Sequence, residues 1–452
     1  MSLPQTPTSP SPTGEREEGL LCQLFQLLSQ FAFDKAKELL DKEKEVHKAA
    51  FGSSWALMVH TLGQFAMAEK AYNSLGFLEQ KWFGRSKDTL RTAYLTLLQE
   101  LRKIEETVRQ QESLVFGLPG PTKEFEILLS HLCGQLCEYI RARQKTMDFF
   151  EQISTMGTNK NMNYEDLVNV ISEIVLLHSK NFHHPFLADL KSGFTYECDT
   201  IQHLLMAQIQ MSEGRFLASL LQLHQAHSKL TSWGSAAQAR ETTKRGMFGS
   251  TSKTVSSLPA LFSWLLRYKH LLVAKFSLYF YEVLSKQTTS ADMRSLSMKN
   301  CEDYVAKISA FHRKSDVAYI CLYLDSQGMA EPFKGLGYHH PDKPPAPDGY
   351  HAIFSYPVDI PPLHWPTIEP LLSGDKDPDP DRVRSHCDKV KQSTYFVVNV
   401  EPRIFLTVIC ETKKSEKDSN ILNFMLEMST MLRCMKHFKS LKPGAAVGGS
   451  RK

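Results

Sequence analysis

Tyr395-Phe396-Val397-Val398-Asn399-Val400 and Ile404-Phe405-Leu406-Thr407-Val408-Ile409-Cys410, separated only by Glu401-Pro402-Arg403, decide the fold class of this chain. Both runs are rich in β-branched and aromatic residues, and the short proline-containing connection suits a β-hairpin. Beyond the hairpin, Ile421, Leu422, Phe424, Met425, Met428, Leu432 and Met435 recur at three- and four-residue spacing. That spacing predicts an amphipathic helix whose apolar face lies on the sheet the hairpin helps to form. The charge-rich stretch from Lys413 to Asp418 between strand and helix reads as a loop, with Ser415 or Asp418 as the helix cap.

Upstream of the hairpin the pattern is mixed. Tyr304, Val305, Ile308 and Phe311 predict an opening helix, Val317 to Leu324 a strand, and Asp325-Ser326-Gln327-Gly328 a turn. A weaker strand is expected before the proline-rich segment 341–347, and another strand at Ala352 to Tyr356. A Pro/Asp-rich excursion from Pro357 to Pro380 then leads to an expected short helix near Arg382 to Val390. Helix, strands, an irregular middle, hairpin and helix is the order of profilin-like, longin and roadblock domains, an analogy at the level of fold alone.

Before residue 300 helical periodicity dominates. Segments are predicted at Leu20–Leu40 (one helix or a pair), Trp55–Leu78, Lys87–Val108, Phe125–Phe150, Tyr164–Leu177 and Thr195–Leu230, the last as one long helix or two. Turn signals at 117–121, 157–159 and His184-Pro185 divide them. No fixed period marks a repeat array, so an irregular or up-and-down bundle is expected. Gly, Ser, Thr, Lys and Arg concentrate between 234 and 257, which predicts a mobile basic loop. A helix apolar around most of its circumference follows, carrying Leu261, Trp264, Leu265, Tyr268, Leu272, Phe276, Tyr279, Phe280 and Val283, and should lie at a bundle centre. The expected architecture is α+β: a Ser/Thr/Pro-rich disordered tail (1–19), a helical bundle (20–286), a link at 287–300, a smaller sheet domain with flanking helices (300–440) and a flexible tail (443–452).

Composition narrows the function classes. The 42% hydrophobic and 23% charged fractions are those of an ordinary globular protein, and a net charge of +4 over 452 residues does not by itself support nucleic-acid binding. Nine cysteines without a secretory leader read as reduced thiols in the cytosol. The longest apolar region, Leu258 to Leu284, is interrupted by Arg267, Lys269, Lys275 and Glu282 and is expected as a core helix, not a membrane span. Thr6-Pro7, Ser9-Pro10 and Ser11-Pro12 are candidate proline-directed phosphorylation sites or simply a tolerated disordered end.

Three constellations are candidate sites. His183-His184-Pro185 and His339-His340-Pro341, with His351 or His364, offer imidazoles to a metal, but no pair has helical i, i+4 ligand spacing and histidines beside prolines commonly close loops. Cys133 and Cys137, with His131, share a helical face, which core packing explains better than zinc or redox chemistry. Arg403, with Arg382 and Arg384, presents the elements of an arginine finger toward a GTPase phosphate, against the plainer reading of solvated surface charge. No Gly-x-Ser-x-Gly elbow, phosphate loop or kinase loop set is present, and no catalytic, cofactor-binding or metal-ligating residue is assigned.

Phe182-His183-His184-Pro185, Ala274-Lys275-Phe276-Ser277, Gly337-Tyr338-His339-His340-Pro341, Gln392-Ser393-Thr394-Tyr395-Phe396 and Lys413-Lys414-Ser415-Glu416 resemble the second-subunit family of the KICSTOR complex. The resemblance runs from about Phe31, through Phe33-Asp34-Lys35-Ala36-Lys37, to Leu441-Lys442-Pro443-Gly444, departing in the N-terminal tail and at 112–124. It implies a noncatalytic adaptor without cofactor, cytoplasmic and held indirectly at the lysosomal membrane. The implied partners are kaptin, an FG-GAP repeat subunit and a large seizure-threshold scaffold subunit. The implied assembly brings the GATOR GTPase-activating complex to Rag GTPases and so restrains mTOR complex 1 when amino acids or glucose are scarce. From another class, a metal-dependent or small-molecule enzyme would use the histidine-rich C-terminal domain.

Overall fold

A computed structural model describes residues 14–46, 53–78, 89–114, 121–157, 163–178, 180–242, 258–299, 301–337, 342–374, 379 and 381–442. The helices are α1 Glu15–Ser29, α2 Phe33–Val46, α3 Ser54–Asn73, α4 Thr89–Leu114, α5 Pro121–Met156, α6 Tyr164–His178, α7 Ala188–Ser212, α8 Phe216–Thr242, α9 Ala260–Tyr279, α10 Tyr281–Gln287, α11 Ser290–Lys299 and α12 Tyr304–Lys314. Strands β1 Tyr319–Asp325 and β2 Tyr350–Tyr356 follow, then α13 Trp365–Ser373, β3 Arg384–Asp388, β4 Ser393–Glu401, β5 Ile404–Cys410, α14 Ser419–Leu432 and α15 Met435–Lys439. The fold is α+β, helical in its N-terminal part.

Two compact units divide these elements without following chain order. The first draws on residues 1–150, 170–198 and 229–262, the second on 151–169, 199–228 and 263–452. In the first unit, α1 opens with Glu15, Glu17 and Glu18 in its first turn, where carboxylates complement the helix dipole, and buries Leu21, Leu24, Phe25 and Leu28. Ser53 caps α3 by accepting the Ala56 N–H at 3.2 Å. Phe31, Trp233 and Phe262 pack ring against ring, with Trp233 and Phe262 centroids 5.4 Å apart.

The second unit is built on a five-stranded antiparallel sheet in the order β2-β1-β5-β4-β3. On one face Cys321, Tyr323, Tyr395, Val397, Phe405 and Ile409 form a core with Ile368 and Leu372 of α13. On the other, Leu324 meets the α7–α8 turn and Phe354 meets Tyr281 of α10, their rings 5.7 Å apart. Coverage on both sides is why β4 and β5 read as unbroken apolar runs and not as an alternation. α14 packs on β4 and β5, and Phe424 stacks on Phe311 of α12 at 3.8 Å between centroids. Asp418 caps α14, accepting the Asn420 and Ile421 N–H groups at 3.0 and 3.2 Å.

Several segments differ from the sequence expectation, each for a local reason. The segment 382–390 is not a helix: β3 pairs with β4, with Ser385 opposite Phe396. Asp388 accepts the N–H groups of Val390 and Lys391 at 2.9 and 3.1 Å, closing a hairpin in place of a helical turn. The link 287–300 contains α11, started by a reciprocal cap in which Thr289 Oγ1 accepts the Asp292 N–H and donates to its carboxylate. The Pro/Asp-rich excursion holds α13, with Pro366 in its first turn, where a missing N–H costs nothing. The basic segment is helical as far as Thr242, since Ala236-Ala237-Gln238-Ala239-Arg240 favours continuation of α8; the rest of 234–257 lies outside the described residues. α1 begins at Glu15, inside the expected tail, whose first 13 residues are not described, and residues 443–452 are likewise outside the description. The weaker strand before 341 is absent among the described residues 326–337. Thr195–Leu230 resolves into two helices.

The break between those two helices is set by Gly214, at φ 74°, with the Arg215 N–H donating back to the Gln210 carbonyl at 2.8 Å. A Cβ there would sit 2.6 Å from Leu324 Cδ2, so side chain and backbone are both constrained. Gly214→Ala is expected to cost about 1–3 kcal/mol, read as a lowered midpoint in chemical denaturation of the full chain. An unchanged midpoint would contradict the packing described.

Candidate functional site

The structure assigns a structural task to most of the polar residues that the sequence singled out. In the first unit the His184 ring lies 5.2 Å from His131 and caps the short turn 185–187, its Nδ1 accepting the Phe186 N–H at 3.2 Å. Burial, then the neighbouring His131 and His183, push the His184 imidazole down to about 4. The His183 N–H donates to Gln135 Oε1 at 2.6 Å. In the second unit His351 Nε2 and Ser326 Oγ are 2.9 Å apart, and His364 Nδ1 lies 2.8 Å from the Tyr395 hydroxyl. His339, His340 and Pro341 lie outside the described residues. Among the described residues no group of three or more His, Cys, Asp or Glu side chains is arranged to hold a metal ion, and no helix is long and apolar enough to cross a membrane.

Cys133 and Cys137 are both buried on α5, with Cys133 Sγ 3.8 Å from Met58 Sδ. Burial raises both thiols, Cys137 to about 11, which disfavours the reactive thiolate. Arg403 is partly exposed and does not project as a free finger. Its guanidinium donates to the carbonyls of Asp325, Gln327 and Gly328 at 3.3, 2.7 and 3.2 Å, tying the β4–β5 turn to the turn after β1. Arg384 likewise donates to the Gly374 carbonyl at 3.3 Å.

The polar centres of greatest consequence were not singled out from sequence. In the first unit Arg143 of α5 lies between Glu69 of α3 and Glu197 of α7, at 3.2 and 2.5 Å, all three nearly excluded from solvent. Tyr94 and Tyr139 donate to Glu69 at 3.0 and 2.9 Å, Tyr72 donates to Glu197, and the Arg143 guanidinium sits 4.3 Å over the Tyr72 ring. One guanidinium faces two carboxylates. Burial accordingly pushes the Glu197 carboxyl up, opposed by Arg143, while Arg143 itself is held charged against burial by Glu197 and Glu69.

In the second unit Lys275 of α9, fully buried, pairs with Glu401 at the end of β4. Gln208 of α7 accepts from Lys275 Nζ at 3.0 Å and donates to Glu401 Oε1 at 2.6 Å, and the Tyr279 hydroxyl donates to Glu401 Oε2 at 3.0 Å. The bulge between Asn399 and Glu401 brings this about. Asn399 pairs with Phe405, on the α13 face, whereas Glu401 pairs with Ile404, so the irregularity turns the carboxylate to the helix-covered face where Lys275 lies. Lys275→Met is expected to destabilise the chain by about 3–5 kcal/mol by leaving Glu401 buried and unpaired, with Lys275→Met/Glu401→Gln recovering much of the loss, both read by urea denaturation. Equal stability of the single and double variants would contradict a pairing role.

His437 of α15 is a further buried group that the sequence pattern does not mark. Its ring stacks on Trp264 and Tyr268, 4.6 and 5.4 Å between centroids. Burial, with Arg267 adding to it, holds the imidazole down to about 3 from the ordinary 6.5. Between those values the unfolded chain binds a proton that the folded chain does not, so stability falls as pH drops below 6.5. Lowering pH from about 7 to 5 should therefore remove about 2 kcal/mol through this ring alone, a component missing in His437→Phe. Parallel pH profiles of wild type and variant would refute it.

Comparison with known proteins extends over nearly the whole length of the chain. A family profile described as KICSTOR complex C12orf66 like matches residues 10–446. The chain is 42% identical to KICSTOR subunit 2 of Xenopus laevis over 98% of this chain and 99% of that protein. It is 40% identical to KICSTOR subunit 2 of Danio rerio over 95% of this chain and 96% of that one. With the profile and both relatives spanning its two units, the chain belongs to the KICSTOR complex C12orf66-like family.

Proposed function

We propose that this chain is a noncatalytic adaptor subunit of a KICSTOR-like complex at the lysosome, binding kaptin, the FG-GAP repeat subunit and the large seizure-threshold scaffold subunit. In this reading the assembly recruits the GATOR GTPase-activating complex to Rag GTPases and so lowers mTOR complex 1 signalling during amino-acid or glucose deprivation. The observation that carries it is family membership over residues 10–446, at 42% identity to a KICSTOR subunit 2. The use of Arg403, His184 and His351 at turns, and of His364 against the Tyr395 hydroxyl, supports an adaptor, because each of these polar groups is engaged in holding the fold.

The mechanism is tethering. An adaptor that holds a GTPase activator near its target raises their effective concentration without chemistry of its own. Membrane association is indirect, through the other subunits. The full chain, tagged and expressed near its natural level, is expected to co-purify with the three KICSTOR partners, and its removal to deplete GATOR from lysosomes and leave mTOR complex 1 active in starved cells. Normal GATOR recruitment without the chain would refute the adaptor reading. Arg403→Ala should leave GTPase stimulation by the assembled complex unchanged, since its guanidinium is committed to three carbonyls.

A further inference from the structure

Within the second unit, α9, the approach to α12, α14 and α15 surround an open cavity of about 150 Å³. An apolar cavity of about this volume holds a molecule the size of benzene, which sets the scale of what fits. The floor is made of buried groups: the His437 ring stacked on Trp264, with Tyr304, Met431 and Cys434 beside it. His437 remains neutral, so the floor brings no charge of its own.

The wall is charged. Arg267, Lys307 and Lys436 reach it from three different helices, against Glu302 and Glu427. Glu302 neutralises Lys307 at 3.0 Å. Among the described residues no hydrogen bond or ion pair engages the side chains of Arg267, Lys436 or Glu427. Two cations of different shape, one with a planar fork of donors, thus face a single small cavity without an internal partner. Donors carried by separate elements suit an anion that accepts in several directions, as a tetrahedral oxyanion does.

We propose that this cavity binds a compact oxyanion of the phosphate type, held between the Arg267 guanidinium and the Lys436 ammonium above the His437 ring. A phosphomonoester of a small soluble molecule and a phosphorylated lipid headgroup carry the same group. Glu427 opposes the anion and sets a ceiling on affinity, which gives the site a signature of its own: neutralising a cation weakens binding, neutralising this carboxylate strengthens it.

The test titrates the full chain with inorganic phosphate in a phosphate-free buffer by calorimetry, and in parallel with phosphatidylcholine vesicles with and without a phosphoinositide by flotation. Saturable phosphate binding is expected in wild type, weakened about tenfold by Arg267→Gln or Lys436→Gln and strengthened by Glu427→Gln. Because all three side chains are exposed, the variants should fold, which circular dichroism checks. Vesicle binding that follows the same order assigns the phosphate to a lipid; phosphate binding without vesicle binding assigns it to a soluble molecule. Absence of saturable binding to either, or binding indifferent to all three substitutions, overturns the proposal.

Discussion

The pairing of Lys275 with Glu401 constrains the second unit more than any other contact. An ammonium and a carboxylate buried together lose most of their hydration, and their attraction repays that loss only when position and remaining hydrogen bonds are right. Here Gln208 and Tyr279 complete the bonding of the carboxylate. Three elements distant in sequence, α7, α9 and the end of β4, must therefore arrive in one register. Apolar burial would tolerate a small sliding of helix on sheet; a buried charge pair does not. The bulge at Asn399–Glu401 belongs to the same constraint, because without it the carboxylate would point to the α13 face and Lys275 would be buried without its counterion.

The first unit solves a related problem with one cation and two carboxylates. Arg143 holds Glu69 and Glu197, and the tyrosines at 72, 94 and 139 supply the donors that a second cation would otherwise provide. Planar donors in a fixed fork suit this better than a lysine, and aromatic faces around the guanidinium add attraction without needing a further charge. Both centres are nearly excluded from solvent. Their effect is to define which helices pack against which.

Much of the architecture was legible from residues alone. The hairpin at 393–410, the amphipathic helix after it, its Asp418 cap and the helical segments before residue 300 all rest on local periodicity and turn chemistry, which act over a few residues and survive folding unchanged. The differences fall where local preference was weak or balanced. At 384–388, Arg-Ser-His-Cys-Asp favours neither state strongly, and the open edge of β4 decided for a strand. At 290–299 the Thr289–Asp292 cap is local to the sequence, but the polar composition around it gives no apolar periodicity to mark a helix.

By itself the sequence determined the fold class, the order of elements and the absence of a continuous apolar span, and its strings resembled the family to which the chain belongs. Periodicity shows Lys275 as a charge that breaks an apolar segment, and Glu401 as part of a turn; neither pattern pairs them. Tertiary structure decided that the two are partners, that Arg403 locks turns and does not project, and that Arg267, Lys436 and His437 share one cavity. The physical reason is range. Periodicity, capping and turn preference are set by neighbours within a few positions, whereas the place where a buried charge finds its counterion, or a surface cation is left without one, depends on groups brought together from more than a hundred residues away.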